Sequence, residues 1–461
     1  MGNEIRAHAL LPVRRMPFSY HPPTTTECPV CEELARSSHA PLVDQRDGKA
    51  AAAGGYPVHN WYYFVLGYTP EFPDHLIRRF DVDASHLVVD PFMGSGTTLV
   101  CCKARGIPSL GVDANDFFVD AARVKLRWDL DTAVLREQLE TILGRYSARM
   151  RELRGNDGHR HLARYAEKHR PPMLTERYVS DVPFAKLHVL RGAVEGSVPP
   201  GHDRDFFNLA LSSVIVPASN VAYGPGFGVR APKEDEDVLG MFEAKAGRMI
   251  ADVETIPADV VPTPATAHLG DSRDLLELIE PGTVDLMITS PPYPGDHEYT
   301  KHSRVELIFM GYANSIAELR DIKQTMIRGS TTNVYKRDDD GRFVEGFDSI
   351  HRVTGEIDRR LRRDNATSGF EKLYTKLVRE YFGGMYRVLE QAHAALRPGG
   401  RFSLLVSDSH SFKMVHISTA DILREIGLEV GFSGADIDLW QLKRSTSHGY
   451  DLRENCLTLR K

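Results

Sequence analysis

Five cysteines in 461 residues are too few for a disulfide framework, which fits a chain that folds in a reducing compartment. No stretch approaches the roughly 18 uninterrupted apolar residues of a membrane span. The opening MGNEIRAHALLPVRR holds only the run Ala-Leu-Leu-Pro-Val, too short for a secretory core, and Arg6 stands where a myristoylation signal needs Ser or Thr. There is no excess of positive charge: 57 Lys and Arg face 63 Asp and Glu, a formal charge of −6. A nucleic-acid binder of this composition must gather its basic residues on one face. No repeat at a spacing of about 20 to 50 residues is present, which excludes a solenoid. These absences predict a soluble, cytoplasmic chain with no membrane partner.

With 42% apolar and 26% charged residues, the chain is composed to bury a core, and wholesale disorder is excluded. At about 150 residues per domain its length suggests about three units. Residues 1–55 are poorly patterned and read as an N-terminal extension ending in the linker-like GKAAAAGGYP. Order begins at Tyr56. In TPEFPDHLIRRF, Thr69 can cap a helix, Pro70 can take its first position, and Leu76, Ile77 and Phe80 supply an apolar face. The short apolar strand His86–Asp90 then runs into a glycine turn, a helix ending at Gly106, a second strand in SLGVDAN and a further helix. Strand, glycine turn, helix, strand and acid make one βαβ unit.

The alternation stops over residues 130–265, where an Arg-rich helical stretch, Pro/Gly loops and more helices predict an inserted helical subdomain. It returns at 266 with TAHLGDSRD, the strand VDLMI running into a Pro-Pro turn, and the strand of LRPGGRFSLLVSD. An antiparallel pair, LEVGFSGADIDLW with ENCLTLRK, closes the chain. The predicted organisation is an α/β, Rossmann-like sheet divided as 1–55, 56–129, 130–265 and 266–461.

Two turns carry the chemistry. Asp90-Pro-Phe-Met-Gly94-Ser-Gly96-Thr-Thr98 lies at a strand's carboxyl end, where parallel sheets bind ligands, and its glycines let a ligand approach the backbone. It is not a P-loop, because no Lys follows the glycines, and not a dinucleotide fingerprint, because Leu99 holds the third glycine position. Asp113, at the end of the next strand, can bind the two hydroxyls of a ribose or can cap the following helix. In Thr289-Ser290-Pro291-Pro292-Tyr293, two prolines hold the backbone extended and remove two donors, leaving carbonyls to face a cleft. That arrangement suits a planar amine or is simply a structural turn.

Together, DPFMGSGTT and TSPPY resemble the motif pair of S-adenosylmethionine-dependent DNA amino-methyltransferases, which methylate N4 of cytosine or N6 of adenine. The resemblance extends to TPEFPDHLI, LGVDAN, HLGDSRD, RPGGRFSLLVSD and RENCLTLRK, and covers about 56–128, 266–300 and 385–461. It implies a class I methyltransferase sheet. It also implies S-adenosylmethionine held by Thr69, Asp90, Pro91, Phe92, Gly94, Ser95, Gly96, Thr97, Thr98, Asp113, Ala114, Asp271 and Ser272. A base flipped out of double-stranded DNA is implied to enter a pocket of Ser290, Pro291, Pro292 and Tyr293. There Ser290 and the Pro291 carbonyl accept from the exocyclic amine and Tyr293 stacks on the base. Ser at the head of this tetrapeptide leans toward N4-cytosine within the family. No cysteine follows a proline, so the Pro-Cys nucleophile of C5-cytosine methyltransferases is missing.

The alternatives are N6-adenine methylation, an RNA guanine-amine methyltransferase, and a non-catalytic fold that binds nucleic acid. Restriction or defence-system proteins are further partners the resemblance implies. For the target-recognition region, the first candidate is the insert, where residues 145–170 carry Arg145, Arg149, Arg151, Arg154, Arg160, Arg164, Lys168 and Arg170 against Glu152, Asp157 and Glu167. A solvated helix face is the other reading of that patch. The second candidate is 296–345, with His297, Tyr299, Lys301, Arg304, Lys323, Arg328, Lys336 and Arg337. Cys28 and Cys31 have the spacing of half a zinc site, and His21 and His39 flank the pair and could complete it, but no second CxxC is present and the expectation is no metal.

Overall fold

Val88–Asp90 forms a strand because three apolar-to-acidic residues are buried on both faces, as in the centre of a parallel sheet. This strand, β1, is followed by helix α2 (Thr97–Lys103), β2 (Ser109–Asp113) and α3 (Asp116–Lys125). Ahead of β1 lies α1 (Glu71–Arg79), which buries Phe72, Leu76 and Ile77. Pro70, not Thr69, occupies its cap position, and no side chain caps it; Thr69 supplies only a backbone carbonyl to Phe72. The computed structural model describes residues 57–154, 158–223, 227–295, 298–444 and 451–461. The N-terminal extension, its linker, the Cys28/Cys31 pair with His21 and His39, and His297 lie outside the described residues.

Seven strands make one sheet in the order β5-β2-β1-β6-β7-β9-β8, with β5 (Ala265–Leu269), β6 (Val284–Thr289), β7 (Leu396–Ser407), β8 (Gly434–Arg444) and β9 (Asp451–Arg460). The first five in that order are parallel, while β9 runs antiparallel to both β7 and β8. The order reverses beside β1, so β1 and β6 diverge at their carboxyl ends and open a crevice there. This is a Rossmann-like α/β sheet with a closing antiparallel pair, as the alternating pattern predicted.

Between β2 and β5 the chain runs through α4 (Thr132–Arg154), α5 (Gly158–His169), α6 (Asp181–Ser197), α7 (His202–Ala218), the hairpin β3 (Val221–Tyr223) with β4 (Phe227–Val229), and α8 (Val238–Glu254). These helices share one apolar cluster with the sheet's own layer: Phe206, Phe207 and Phe242 lie in the same core as Phe117, Phe118 and Leu99. The segment Pro57–Trp61 stitches the two together. Trp61 is buried edge-on against Phe206 at 5.5 Å, and its Nε1 donates to Asp252 at 2.9 Å. After β6 come α9 (Arg304–Met310), α10 (Ile316–Gln324), α11 (Asp348–Arg363) and α12 (Tyr374–Ala395), then α13 (Thr419–Val430) before the closing pair. Among the described residues no helix is long and apolar enough to cross a membrane.

Candidate functional site

The glycine turn is shaped by conformation before any side chain acts. Gly94 and Gly96 have φ of 50° and 87°, where an L side chain is strained. A Cβ on Gly96 would also lie 3.0 Å from the Ala122 side chain, so the turn can pass this close to α3 only as glycine. Asp113 then fastens the turn: its Oδ2 accepts from Gly94 N at 2.9 Å and its Oδ1 from Asn115 N at 2.8 Å. Asn115, not Asp113, caps α3, by accepting from Phe117 N. Burial raises the Asp113 carboxyl to about 6, against the opposing pull of the Asn115 and Gly94 amides.

Beneath this turn Asp90 is fully buried and saturated. Its Oδ2 accepts from Tyr68 Oη and Thr98 Oγ1, both at 2.7 Å; its Oδ1 accepts from Thr289 Oγ1 at 2.6 Å and Phe92 N at 3.0 Å. One carboxylate therefore ties the glycine turn, the start of α2, the segment before α1 and the last residue of β6. It is a keystone under the site and not part of its wall. Ser95 is held by a second buried group the sequence did not reveal: Lys125 Nζ donates to Ser95 Oγ at 3.2 Å, to Tyr62 O at 2.9 Å and to His59 O at 3.3 Å. Burial lowers this ammonium to about 7.

A cleft of about 780 Å³ opens at the carboxyl ends of β1, β2, β5 and β6. Its wall includes Phe92, Gly94, Ser95, Thr97, Asp113, Ala114, Asp271, Ser272, Ser290 and Pro292, so residues from both sequence motifs and from HLGDSRD meet in one place. Thr69, Asp90, Pro91, Gly96, Thr98, Pro291 and Tyr293 are not in that wall. Pro91 instead accepts from the Ser272 hydroxyl through its carbonyl, joining the glycine turn to the loop after β5. Sequence reasoning missed Phe64, Leu66, Tyr68, Phe118 and Met326, which also line the wall, and placed Tyr299 there only as part of a candidate target-recognition region. For Phe64, Leu66 and Tyr68 the aromatic density of HNWYYFVLGY was the one visible signal.

Asp271 is engaged already. Arg273 binds both its oxygens, by Nε at 2.9 and 3.1 Å, and reaches Asp340 by Nη1 at 2.7 Å. The acidic run RDDDGRF is accordingly a staple and not a solvated loop: Asp340 also takes Arg387 at 3.2 Å, and Asp338 takes Arg328 at 2.9 Å through each oxygen. Arg328, buried over Tyr335, is thereby removed from any nucleic-acid face. Arg170 is removed likewise: it lies over the Phe184 ring and donates to Asp181 and to two carbonyls.

At the Pro-Pro turn, Ser290 Oγ lies 3.1 Å from Tyr293 Oη, and Tyr293 donates to Glu454 on β9 at 3.2 Å. Behind the turn, Glu306 of α9 is buried, accepting from Tyr62 at 2.9 Å and from Tyr223 of the insert's hairpin at 2.8 Å; burial raises it to about 7. The insert is thus bonded to the helix that follows the Pro-Pro turn.

The family described as DNA methylase matches residues 61–124, the glycine-turn half of the site. The chain is 39% identical over 56 residues to the Type II methyltransferase M.BsoBI of Geobacillus stearothermophilus, covering 12% of this chain and 11% of that one. It is 29% identical over 121 residues to the Type II methyltransferase M.MjaII of Methanocaldococcus jannaschii, covering 26% and 22%. A longer match, 19% identical over 419 residues, joins 82% of the chain to 79% of the Type II methyltransferase M.AvaI of Nostoc sp.. The first two relatives are matched over less than a quarter of their length. With the sheet order and the cleft in place, the chain is thus similar to DNA methylases over its glycine-turn half and, at lower identity, to a Type II methyltransferase over most of its length.

Proposed function

We propose that the chain transfers a methyl group from S-adenosylmethionine to the exocyclic amine of a base flipped out of double-stranded DNA, N4 of cytosine before N6 of adenine. One observation carries this reading: the cleft walled by the glycine turn and Asp113 is also walled by Ser290 and Pro292. The residues suit this cofactor. Apolar rings at Phe92 and Phe118 can flank a purine, the Asp113 carboxylate can accept from a ribose diol, and the open backbone at Gly94 leaves room for close approach. The bound cofactor supplies an electrophilic methyl on a sulfonium, so the protein needs no nucleophile of its own.

The chain's contribution is alignment and exclusion of water. Ser290 Oγ and the Pro291 carbonyl accept from the amine and fix its orientation, while Tyr299 and Phe64 shield the cleft. Cytosine is favoured because Ser at the head of this tetrapeptide leans toward N4-cytosine within the family that the two motifs resemble. Two hydrogen bonds of this kind, formed only in the aligned complex, are worth about a hundredfold or more each.

Cofactor affinity should depend on Asp113. Its ionised form accepts from hydroxyls, whereas the protonated form loses that acceptor. Binding should therefore weaken as pH falls through about 6, by about tenfold per unit below it. Asp113→Asn should bind weakly with a flat profile. A wild-type profile that stays flat from pH 7 to 5 in equilibrium titration would contradict the assignment.

The insert is the proposed target-recognition region. It carries a groove of about 960 Å³ lined by Arg145, Arg149 and Arg191, with Tyr165 and His188 and a single acid, Glu195. Replacing Arg145 and Arg149 by alanine should weaken DNA binding equally for any sequence and reduce the salt slope by about two. An unchanged slope would take the groove off the DNA path. The reaction itself is tested by incubating the purified chain with methyl-labelled cofactor and either duplex DNA or structured RNA. Label on DNA nucleosides supports the reading; label on RNA alone overturns it.

A further inference from the structure

We propose that Glu454 is a positioning residue for this site, acting through Tyr293 to fix the Ser290 hydroxyl as a hydrogen-bond acceptor. The inference rests on the reading that Ser290 receives the target amine. A carboxylate only accepts, and a tyrosine hydroxyl has one proton to give. Tyr293 Oη gives that proton to Glu454 Oε1 at 3.2 Å. Its oxygen is then left to accept, so the 3.1 Å contact with Ser290 Oγ has the serine as donor. Ser290 has now spent its only proton inward. What it presents to the cleft it lines is lone pairs, the complement of an amine N–H. Without a carboxylate at the far end, the serine could turn its proton outward and meet the amine donor to donor.

The carboxylate is built to stay in that role. Glu454 is buried, at 1% exposure, on the closing strand. Gln441 donates to its second oxygen, and Lys443 pairs with its first at 2.5 Å. The strand register brings these groups to one side. β8 and β9 pair regularly up to Leu439 opposite Asn455, then slip so that Gln441 faces Glu454, leaving Trp440 as the extra residue. Trp440 is buried against Phe72 and His75. The bulge therefore turns Gln441 and Lys443 onto the face that Glu454 occupies; an unbroken register would point them away. Three donors converge on two carboxylate oxygens, and an amide there would have to set its own NH2 against one of them.

The test is a double-mutant cycle on the full chain, with methyl-labelled cofactor and duplex DNA as substrates. Glu454→Gln is expected to lower kcat roughly ten- to hundredfold while leaving cofactor Kd and the KM for DNA within about twofold. In a Tyr293→Phe background, where the link is already cut, Glu454→Gln should cost nothing further, and the same should hold in Ser290→Ala. A wild-type kcat for Glu454→Gln, or losses that multiply with those of Tyr293→Phe, would overturn the proposal. If Glu454→Gln fails to fold, Tyr293→Phe takes its place: it should lower kcat by the same ten- to hundredfold with cofactor Kd within about twofold, and a wild-type kcat in Tyr293→Phe beside a lowered one in Ser290→Ala would overturn the proposal. Full activity in both Ser290→Ala and Tyr293→Phe would instead remove the base-pocket reading on which the proposal stands.

Discussion

Ser290→Ala combined with Tyr293→Ala is expected to lower methyl transfer at least about a thousandfold while cofactor binding stays within about twofold of wild type. The size follows from what is removed together. Loss of the Ser290 oxygen takes away an acceptor aimed at the reacting amine, a change that costs about a hundredfold or more where comparable aligned hydrogen bonds have been deleted. Loss of Tyr293 removes the ring beside the turn and the link to Glu454. The spared cofactor affinity follows from geometry, since the glycine turn is fastened by Asp113 through Gly94 and by Lys125 through Ser95, bonds that the substitutions leave in place. Single-turnover rates and equilibrium titration of the same preparation check both halves. Equal losses in rate and in cofactor affinity would mean that the Pro-Pro turn shapes the whole cleft.

The second large effect should come from Asp90→Ala, and here stability and binding fall together. The substitution strips the acceptor from the hydroxyls of Tyr68, Thr98 and Thr289 and from the Phe92 amide, all in the interior. Leaving a buried polar group unpaired costs about 1–3 kcal/mol, and some of these groups can find new partners, so a net loss of about 3–5 kcal/mol is expected. Cofactor affinity should drop more than tenfold, because β1, α2 and β6 lose their shared tie beneath the cleft. Asp90→Asn should fall between, retaining one acceptor oxygen. Denaturant unfolding with cofactor titration measures both. Wild-type stability for Asp90→Ala would mean that these hydroxyls re-pair freely, contrary to the keystone role.

These predictions mark where the sequence was readable. The glycine turn and the Pro-Pro turn stand out because their chemistry is local: positive φ at Gly94 and Gly96, and a rigid backbone at Pro291 and Pro292, are written in consecutive residues. The strands of the sheet are legible for the same reason, since short apolar runs ending in turn residues define them one at a time. Even the antiparallel closing pair could be anticipated from its two alternating segments. Residue roles were harder. Asp90 reads as a cofactor ligand from its place in the motif, yet it points into the interior, because Thr289 arrives from 199 residues away. Glu306 and Glu454 carry no motif at all; their partners Tyr62 and Tyr293 lie 244 and 161 residues distant, and only the assembled sheet and insert bring them together. Lys125 looks like one more surface cation until α3 is packed against the segment before α1. Arg170 and Arg328 counted in sequence among the cations of the candidate target-recognition segments, but tertiary pairing turns them inward. Charge runs are thus the least readable feature here, and turns with special backbone geometry the most.

Amino methylation of DNA by the Ser290 pocket is open to methylation-aware long-read sequencing of DNA from cells expressing the chain, with the Ser290→Ala/Tyr293→Ala variant at equal abundance as control. A discrete sequence motif bearing N4-methylcytosine is expected in the first sample and no mark in the second; N6-methyladenine in that pattern would change the base and keep the mechanism. Unmarked DNA from cells holding the folded, cofactor-binding wild-type chain, or a mark that persists in the variant, would contradict it.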